Sequence, residues 1–193
     1  MRLALARHNA QIYGVADRIE FILADYISFA KSYLSLHPTS DYASPNRHEG
    51  RKIDVVFLSP PWGGPAYLSG ALDEKSVDLK GKGKALATPE HPSYSLSSIQ
   101  PIHGAELFDL TRKITKNVAY YLPRNTRLEE ISDLLLQERT RANRVSGNVN
   151  DAQSGKPPSV EEKVEVEEEW MGNKLKALTC YFGGLAQGQE SLF

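Results

Sequence analysis

The tightest constraint on this chain lies at residues 53–65. Ile53 to Leu58 is a nearly continuous apolar run, and Ser59-Pro60-Pro61-Trp62-Gly63-Gly64-Pro65 follows it without a break. Such a run suits a strand covered on both faces, as in a parallel sheet. Two prolines leave the following backbone few conformations. Two glycines remove side chains where a ligand must come close. The pattern therefore asks for a buried strand that ends in a stiff turn carrying one tryptophan.

The flanking segments supply helices and further strands. Residues 2–13 read as a helix with Leu3, Ala6, Ala10 and Tyr13 on one face, ended by Gly14. No capping residue precedes it, so a longer chain is expected there. Ile19 to Leu23 reads as a short strand, and 27–36 as a second helix. Helix 104–114, strand Val118 to Leu122 and helix Leu128 to Leu136 come later. Val160–Trp170 and Leu175–Phe182 read as strands joined by a turn at Gly172-Asn173. Segments 37–52, 68–102 and 140–159 are rich in Ser, Gly, Pro, Asn and charge, and read as loops or insertions. This alternation argues an α/β domain with a mainly parallel sheet and a closing antiparallel pair.

Charge and cysteine content narrow the class. Residues 160–169 hold six glutamates against one lysine. The rest of the chain then has 22 basic and 18 acidic residues, which suits a phosphate-bearing ligand without requiring one. The glutamate run reads as the solvated edge of a strand. The single cysteine, Cys180, forms no internal disulfide and points to a reducing compartment. No apolar run is long enough for a membrane span. His8, His37, His48, His91 and His103 show no metal-ligand spacing, so no metal is expected.

The turn after Leu58 has a chemical reading. An exocyclic amine on a purine is a poor nucleophile, because its lone pair is delocalised into the ring. Accepting hydrogen bonds from its N–H groups pulls the nitrogen toward a tetrahedral shape, and holding the ring aims the lone pair. The Ser59 hydroxyl and Pro60 carbonyl are candidate acceptors, and Trp62 is a flat stacking surface. Ser59, Pro60 and Trp62 are therefore the candidate catalytic residues. The plain alternative is a proline-rich turn with a buried tryptophan.

Asp54-Val55-Val56-Phe57-Leu58-Ser59-Pro60-Pro61-Trp62-Gly63-Gly64-Pro65 strongly resembles the trimethylguanosine synthase family, the cap-specific guanine-N2 methyltransferases. Three further blocks agree. They are Ala4–Ala10 with Tyr13-Gly14 and Ile19–Ile22, then Lys113–Asn117 with Tyr121–Asn125, and Asn173–Gly183. The resemblance covers residues 2–36, 51–67, 104–136 and 168–185, and treats 37–50, 68–102 and 137–159 as insertions in one partial methyltransferase domain. It implies a class I S-adenosylmethionine-dependent methyltransferase fold, Rossmann-like, with strand order 3-2-1-4-5-7-6. It also implies methyl transfer from S-adenosyl-L-methionine to the N2 amine of a 7-methylguanosine cap, giving the 2,2,7-trimethyl cap of small nuclear and small nucleolar RNAs. The implied partner is capped RNA rather than DNA or membrane. The implied location is the nucleus, nucleolus included, with the cytoplasm as the alternative.

By the same resemblance, Trp62 stacks on the cap base, where the positive charge of methylated guanine adds a cation–π attraction of about 0.5–2 kcal/mol. Asn9 matches a position that contacts the base. Tyr67 and Arg124 match positions that hold the triphosphate, for which a guanidinium fork is suited. Asp25 matches a position near the adenine amino group of the cofactor. Each has a plainer alternative: a helix-surface Asn9, a Tyr67 covering the glycine turn, a solvated Arg124, and an Asp25 that caps the next helix.

The family's first two strands, with their Gly-rich loop and ribose-binding acid, find no counterpart in these 193 residues. The fold is thus expected to be incomplete, with strands 19–23 and 53–58 each short of a neighbour. The chain alone is then expected to bind the methyl donor weakly. Two other readings remain: a capped-RNA-binding or protein-interaction remnant without catalysis, and an amino-methyltransferase of another base.

Overall fold

A computed structural model describes residues 2–37, 52–63, 93–145 and 162–186, with the backbone alone at 142–145. The chain divides into two compact units, Met1–His48 and Glu49–Phe193, and each is described by itself. The sequence readings on 38–51, 64–92, 146–161 and 187–193, including Tyr67, lie outside the described residues.

The first unit holds α1 (Arg2–Ile12) and α2 (Tyr26–Leu36), with a 3₁₀ turn at Ala16–Arg18 between them. Gly14 adopts a φ of +67°, the left-handed conformation that ends a helix at low steric cost. The expected strand Ile19–Leu23 is not formed. Ile19 has extended backbone angles, but no other segment pairs with it among the described residues, and a strand exists only against a neighbour. Most of its apolar side chains stay open: Ile19 and Ile22 are exposed and Leu23 is 89% exposed, while Phe21 is half-buried.

The second unit is a four-stranded sheet. Its strands are β1 (Val56–Leu58), β2 (Val118–Pro123), β3 (Glu165–Met171) and β4 (Lys174–Phe182), in the order β1-β2-β4-β3. β1 and β2 are parallel, while β4 is antiparallel to both β2 and β3. This corresponds to the 4-5-7-6 portion of the expected order, including the closing antiparallel pair. β1 is shorter than the apolar run because the Asp54 carbonyl accepts from Thr115 Oγ1 at 2.7 Å and Asn117 Nδ2 at 3.1 Å. Side chains thus take the place of a ladder partner at that end. β1 is also not buried on both faces: Leu58 is buried, but Val55 is exposed and Phe57 is 62% exposed.

Helices α3 (Gly104–Ile114) and α4 (Leu128–Val145) belong to the same unit. Phe108 of α3 stacks on Tyr120 with ring centroids 6.1 Å apart and meets Phe182 at 4.5 Å. All three are fully buried, and burial of Phe108 and Phe182 contributes roughly 1.5–3 kcal/mol each. Ile131, Leu134 and Leu135 of α4 follow helical spacing and are buried. Strand alternation then puts Phe57, Ala119 and Tyr121 on the opposite face of the sheet.

Three sequence readings need correction here. α4 does not stop at Leu136 but runs on to Val145. The segment 68–102, read as a long loop, is built into the core over 93–102, where Tyr94, Leu96 and Ile99 are buried. The glutamate segment forms an edge strand only from Glu165, later than the expected start at Val160; Glu162 precedes the strand and pairs with Arg112 instead of lining a solvated edge. Glu167 accepts from the Tyr181 hydroxyl and Glu169 from the Thr179 hydroxyl.

A buried cation ties the helices to the sheet. The Arg112 side chain is 3% exposed and pairs with Glu138 at 2.8 Å and Glu162 at 2.7 Å. It also donates to the Lys116 carbonyl and lies over the Phe108 ring. Burial raises the Glu138 carboxyl, but hydrogen bonds from Lys116 and Arg112 outweigh burial and hold it below its usual value of 4.5. A depressed carboxyl stabilises the fold above its unfolded pKa and loses that contribution as pH falls through the folded value. Stability is therefore expected to decline below about pH 4.5, and Glu138→Gln to flatten that decline in urea titrations run at several pH values. Arg112→Leu is expected to cost about 2–4 kcal/mol at pH 7, somewhat under a fully buried pair because both carboxylates keep some water contact.

Candidate functional site

The site begins where β1 ends. In the β1–β2 ladder the Val56 N–H donates to the Asn117 carbonyl at 3.0 Å, and Val56 lies opposite Val118. Parallel pairing repeats every two residues, so Leu58 serves the next carbonyl on that edge, Ala119, and residue 60 serves Tyr121. Residue 60 is proline and has no N–H to give. β1 accordingly stops at Leu58, while β2 continues to Pro123.

The orphaned carbonyl is taken by the tryptophan two residues further on. Trp62 Nε1 donates to the Tyr121 carbonyl at 3.3 Å. The indole also packs on the Tyr121 ring, with centroids 5.1 Å apart and planes at 34°. Phe57 meets the same tyrosine with ring centroids 5.8 Å apart. An aromatic row, Phe57, Tyr121 and Trp62, thus lies on the sheet face away from Phe108. Trp62 and Pro60 are half-buried, and Ser59 is exposed beside them. A side chain that can accept a hydrogen bond, a half-buried turn and an indole face therefore sit together at the carboxyl end of a parallel strand. Open α/β sheets hold their ligands at that end.

Arg124 arrives at the same end because it directly follows β2. Residues 123–126 form a turn in which the Thr126 N–H and hydroxyl both reach the Pro123 carbonyl, at 3.1 and 2.7 Å. Arg124 is half-buried and its Nη1 donates to the Leu175 carbonyl of β4 at 3.3 Å. One donor of the fork thus orients the guanidinium, which has further N–H groups for an anion. The turn is braced by Tyr94, whose N–H donates to the Asn125 carbonyl at 2.7 Å and whose carbonyl accepts from the Arg127 N–H at 3.0 Å. Sequence reasoning missed both Tyr94 and Tyr121. Tyr94 lay in a Ser/Pro-rich stretch, and Tyr121 looked like one more apolar strand residue.

Asn9 and Asp25 belong to the first unit. Asn9 is exposed on α1. Asp25 is the N-cap of α2, accepting from the Ser28 N–H at 2.8 Å. That backbone hydrogen bond keeps its exposed carboxyl below the usual range. The capping role anticipated as an alternative is therefore real. Cys180 is buried in β4, where burial pushes its thiol up to about 12, so it offers no nucleophile near neutral pH. Among the described residues no group of His, Cys, Asp and Glu has the form of a metal site, and no helix is long and apolar enough to cross a membrane.

A mixed α/β sheet of this order, with a rigid aromatic turn at the end of its parallel strand, fits a class I methyltransferase fold. The sequence profile of the RNA cap guanine-N2 methyltransferases matches residues 1–90 and 87–185, and the chain belongs to that family. It is 32% identical over 133 residues to the trimethylguanosine synthase of Schizosaccharomyces pombe, and 29% identical over 124 residues to that of Saccharomyces cerevisiae. Those alignments cover 68% and 64% of this chain, but only 41% and 29% of the two relatives.

The indole hydrogen bond gives a direct prediction. Trp62→Phe keeps an aromatic ring but removes the donor to Tyr121. It is expected to lower stability by about 1 kcal/mol, measured by urea unfolding, even though a ring still fills the site.

Proposed function

We propose that this chain carries the acceptor half of a guanine-N2 methylation site for 7-methylguanosine-capped RNA. The observation that supports this most is the Trp62 indole, fixed at its N–H edge beside Ser59 and Pro60. In this reading Trp62 stacks on the cationic cap base. The Ser59 hydroxyl and Pro60 carbonyl accept hydrogen bonds from the N2 amine, which directs its lone pair away from the ring. Asn9 contacts the base edge, and Arg124 holds the triphosphate together with Tyr67. Once the N2–methyl bond forms, the nitrogen carries a positive charge and its extra proton leaves readily to water, so no strong general base is required.

The methyl donor of this family's chemistry is S-adenosylmethionine, which supplies an electrophilic methyl group when bound. Asp25 fits it in kind, as an exposed, ionised carboxylate able to accept from an adenine amino group. We further propose that the sheet is incomplete on the β1 side and takes two more parallel strands there. The exposure of Phe57 and Val55 on the β1 side, and of Leu23 in the apolar segment 19–23, supports that reading. The chain alone then holds the donor weakly and favours cap binding over turnover.

Titration of Trp62 fluorescence with 7-methyl-GTP and with GTP tests the acceptor half. Binding of the methylated nucleotide is expected to be about tenfold tighter, the cation–π increment of roughly 1.4 kcal/mol. Equal affinities count against the cap assignment. Calorimetry with S-adenosylmethionine tests the other half, since micromolar binding by this chain removes the proposed incompleteness. Labelled methyl transfer to capped RNA and to an adenine-rich duplex separates the guanine-N2 reading from an adenine-directed enzyme.

A further inference from the structure

The stacking surface has a dedicated support. We propose that Tyr121 is the positioning residue of Trp62, fixing both the edge and the tilt of the indole through two contacts of different kinds. This rests on the reading of Trp62 as the base platform and adds the residue that aims it.

The first contact is through the backbone. Pro60 leaves the Tyr121 carbonyl without its ladder donor, and Trp62 Nε1 supplies one at 3.3 Å. This pins one edge of the indole to the sheet. An aromatic ring held by a single hydrogen bond still swings about it. The second contact limits that motion, because the Tyr121 ring packs on the indole at 5.1 Å and 34°. The tyrosine is in turn backed by Phe57 at 5.8 Å. Ala119, on the same face one pair earlier in β2, is too small to substitute for it. The arrangement also explains the use of tryptophan. Phenylalanine lacks the N–H, and the tyrosine hydroxyl donates from the ring tip rather than from beside the fused edge.

Tyr121 is half-buried, so its ring can be changed without emptying the core, and its carbonyl survives any substitution. The test is time-resolved fluorescence anisotropy of the full chain in a Trp170→Phe background, where Trp62 is the single indole. Tyr121→Leu is expected to at least double the amplitude of the sub-nanosecond depolarisation of Trp62. Tyr121→Phe is expected to match the parent, because the ring and not the hydroxyl makes the contact. Tyr121→Val, which favours a strand, replaces the leucine variant if circular dichroism shows that leucine disturbs the sheet. An unchanged decay in a folded Leu or Val variant overturns the proposal.

A second arm uses 7-methyl-GTP. Tyr121→Leu is expected to weaken its binding at least fivefold and Tyr121→Phe less than twofold, with Trp62→Ala weakening it further. If Trp62→Ala leaves the affinity unchanged, the stacking assignment fails, while the ligand-free anisotropy still decides whether Tyr121 holds the indole. If Trp62→Ala abolishes binding and the folded Tyr121→Leu chain binds like the parent, the positioning role alone fails.

Discussion

A missing N–H organises this molecule's candidate site. A parallel strand needs a donor at every second residue, and Pro60 cannot be one. The strand must stop at Leu58, and the neighbouring strand is left with an open carbonyl at Tyr121. An unpaired carbonyl in a half-buried place costs about 1–3 kcal/mol, so the chain turns back and spends an indole N–H on it. The tryptophan is oriented by the same defect that ends the strand. One residue thus both terminates a secondary-structure element and leaves the carbonyl that holds the indole edge.

The remainder of the second unit holds that arrangement still. β2 is covered on one face by Phe108 and bound on its far side to β4, so the Tyr121 carbonyl has a fixed position. Arg112, buried between Glu138 and Glu162, ties α3 to α4 and to the approach of β3. Gly183 closes the same corner with a φ of +69°, in a place where a side-chain carbon would lie 2.3 Å from the Lys116 carbonyl oxygen. Only glycine fits there without the backbone shifting. At the other end of β2, Tyr94 and the 123–126 turn hold the backbone that presents Arg124.

Much of this was legible in the residues, and what was not has physical reasons. The order of helices and strands, the antiparallel closing pair and the turn at Ser59–Gly63 follow from local patterns of apolar residues, prolines and glycines. The pairing of Trp62 with Tyr121 spans 59 positions, and no local pattern reports it. The end of α4 was missed because its last turns carry few apolar residues. They are instead joined to distant carboxylates and cations, Arg112 with Glu138 and Arg141 with Asp109. Residues 19–23 have strand-like composition without forming a strand, because composition cannot provide a neighbour. Residues 93–102 look like loop sequence, yet Tyr94, Leu96 and Ile99 pack inward because the turn after β2 offers backbone partners.

The most direct measurement concerns a single proton. Hydrogen exchange at the Trp62 indole N–H, followed in ¹H–¹⁵N spectra of the ¹⁵N-labelled chain, reads the Tyr121 bond without any ligand. A bonded, half-buried N–H exchanges well below the free-indole rate, which a tryptophan model compound in the same buffer supplies. The Trp170 indole is exposed but donates to Glu168 Oε2 at 3.0 Å, so it is not an unbonded reference. Clear protection of Trp62 relative to free indole is the expected result. Exchange of Trp62 at the rate of free indole contradicts the claim that the missing donor at Pro60 is what orients it.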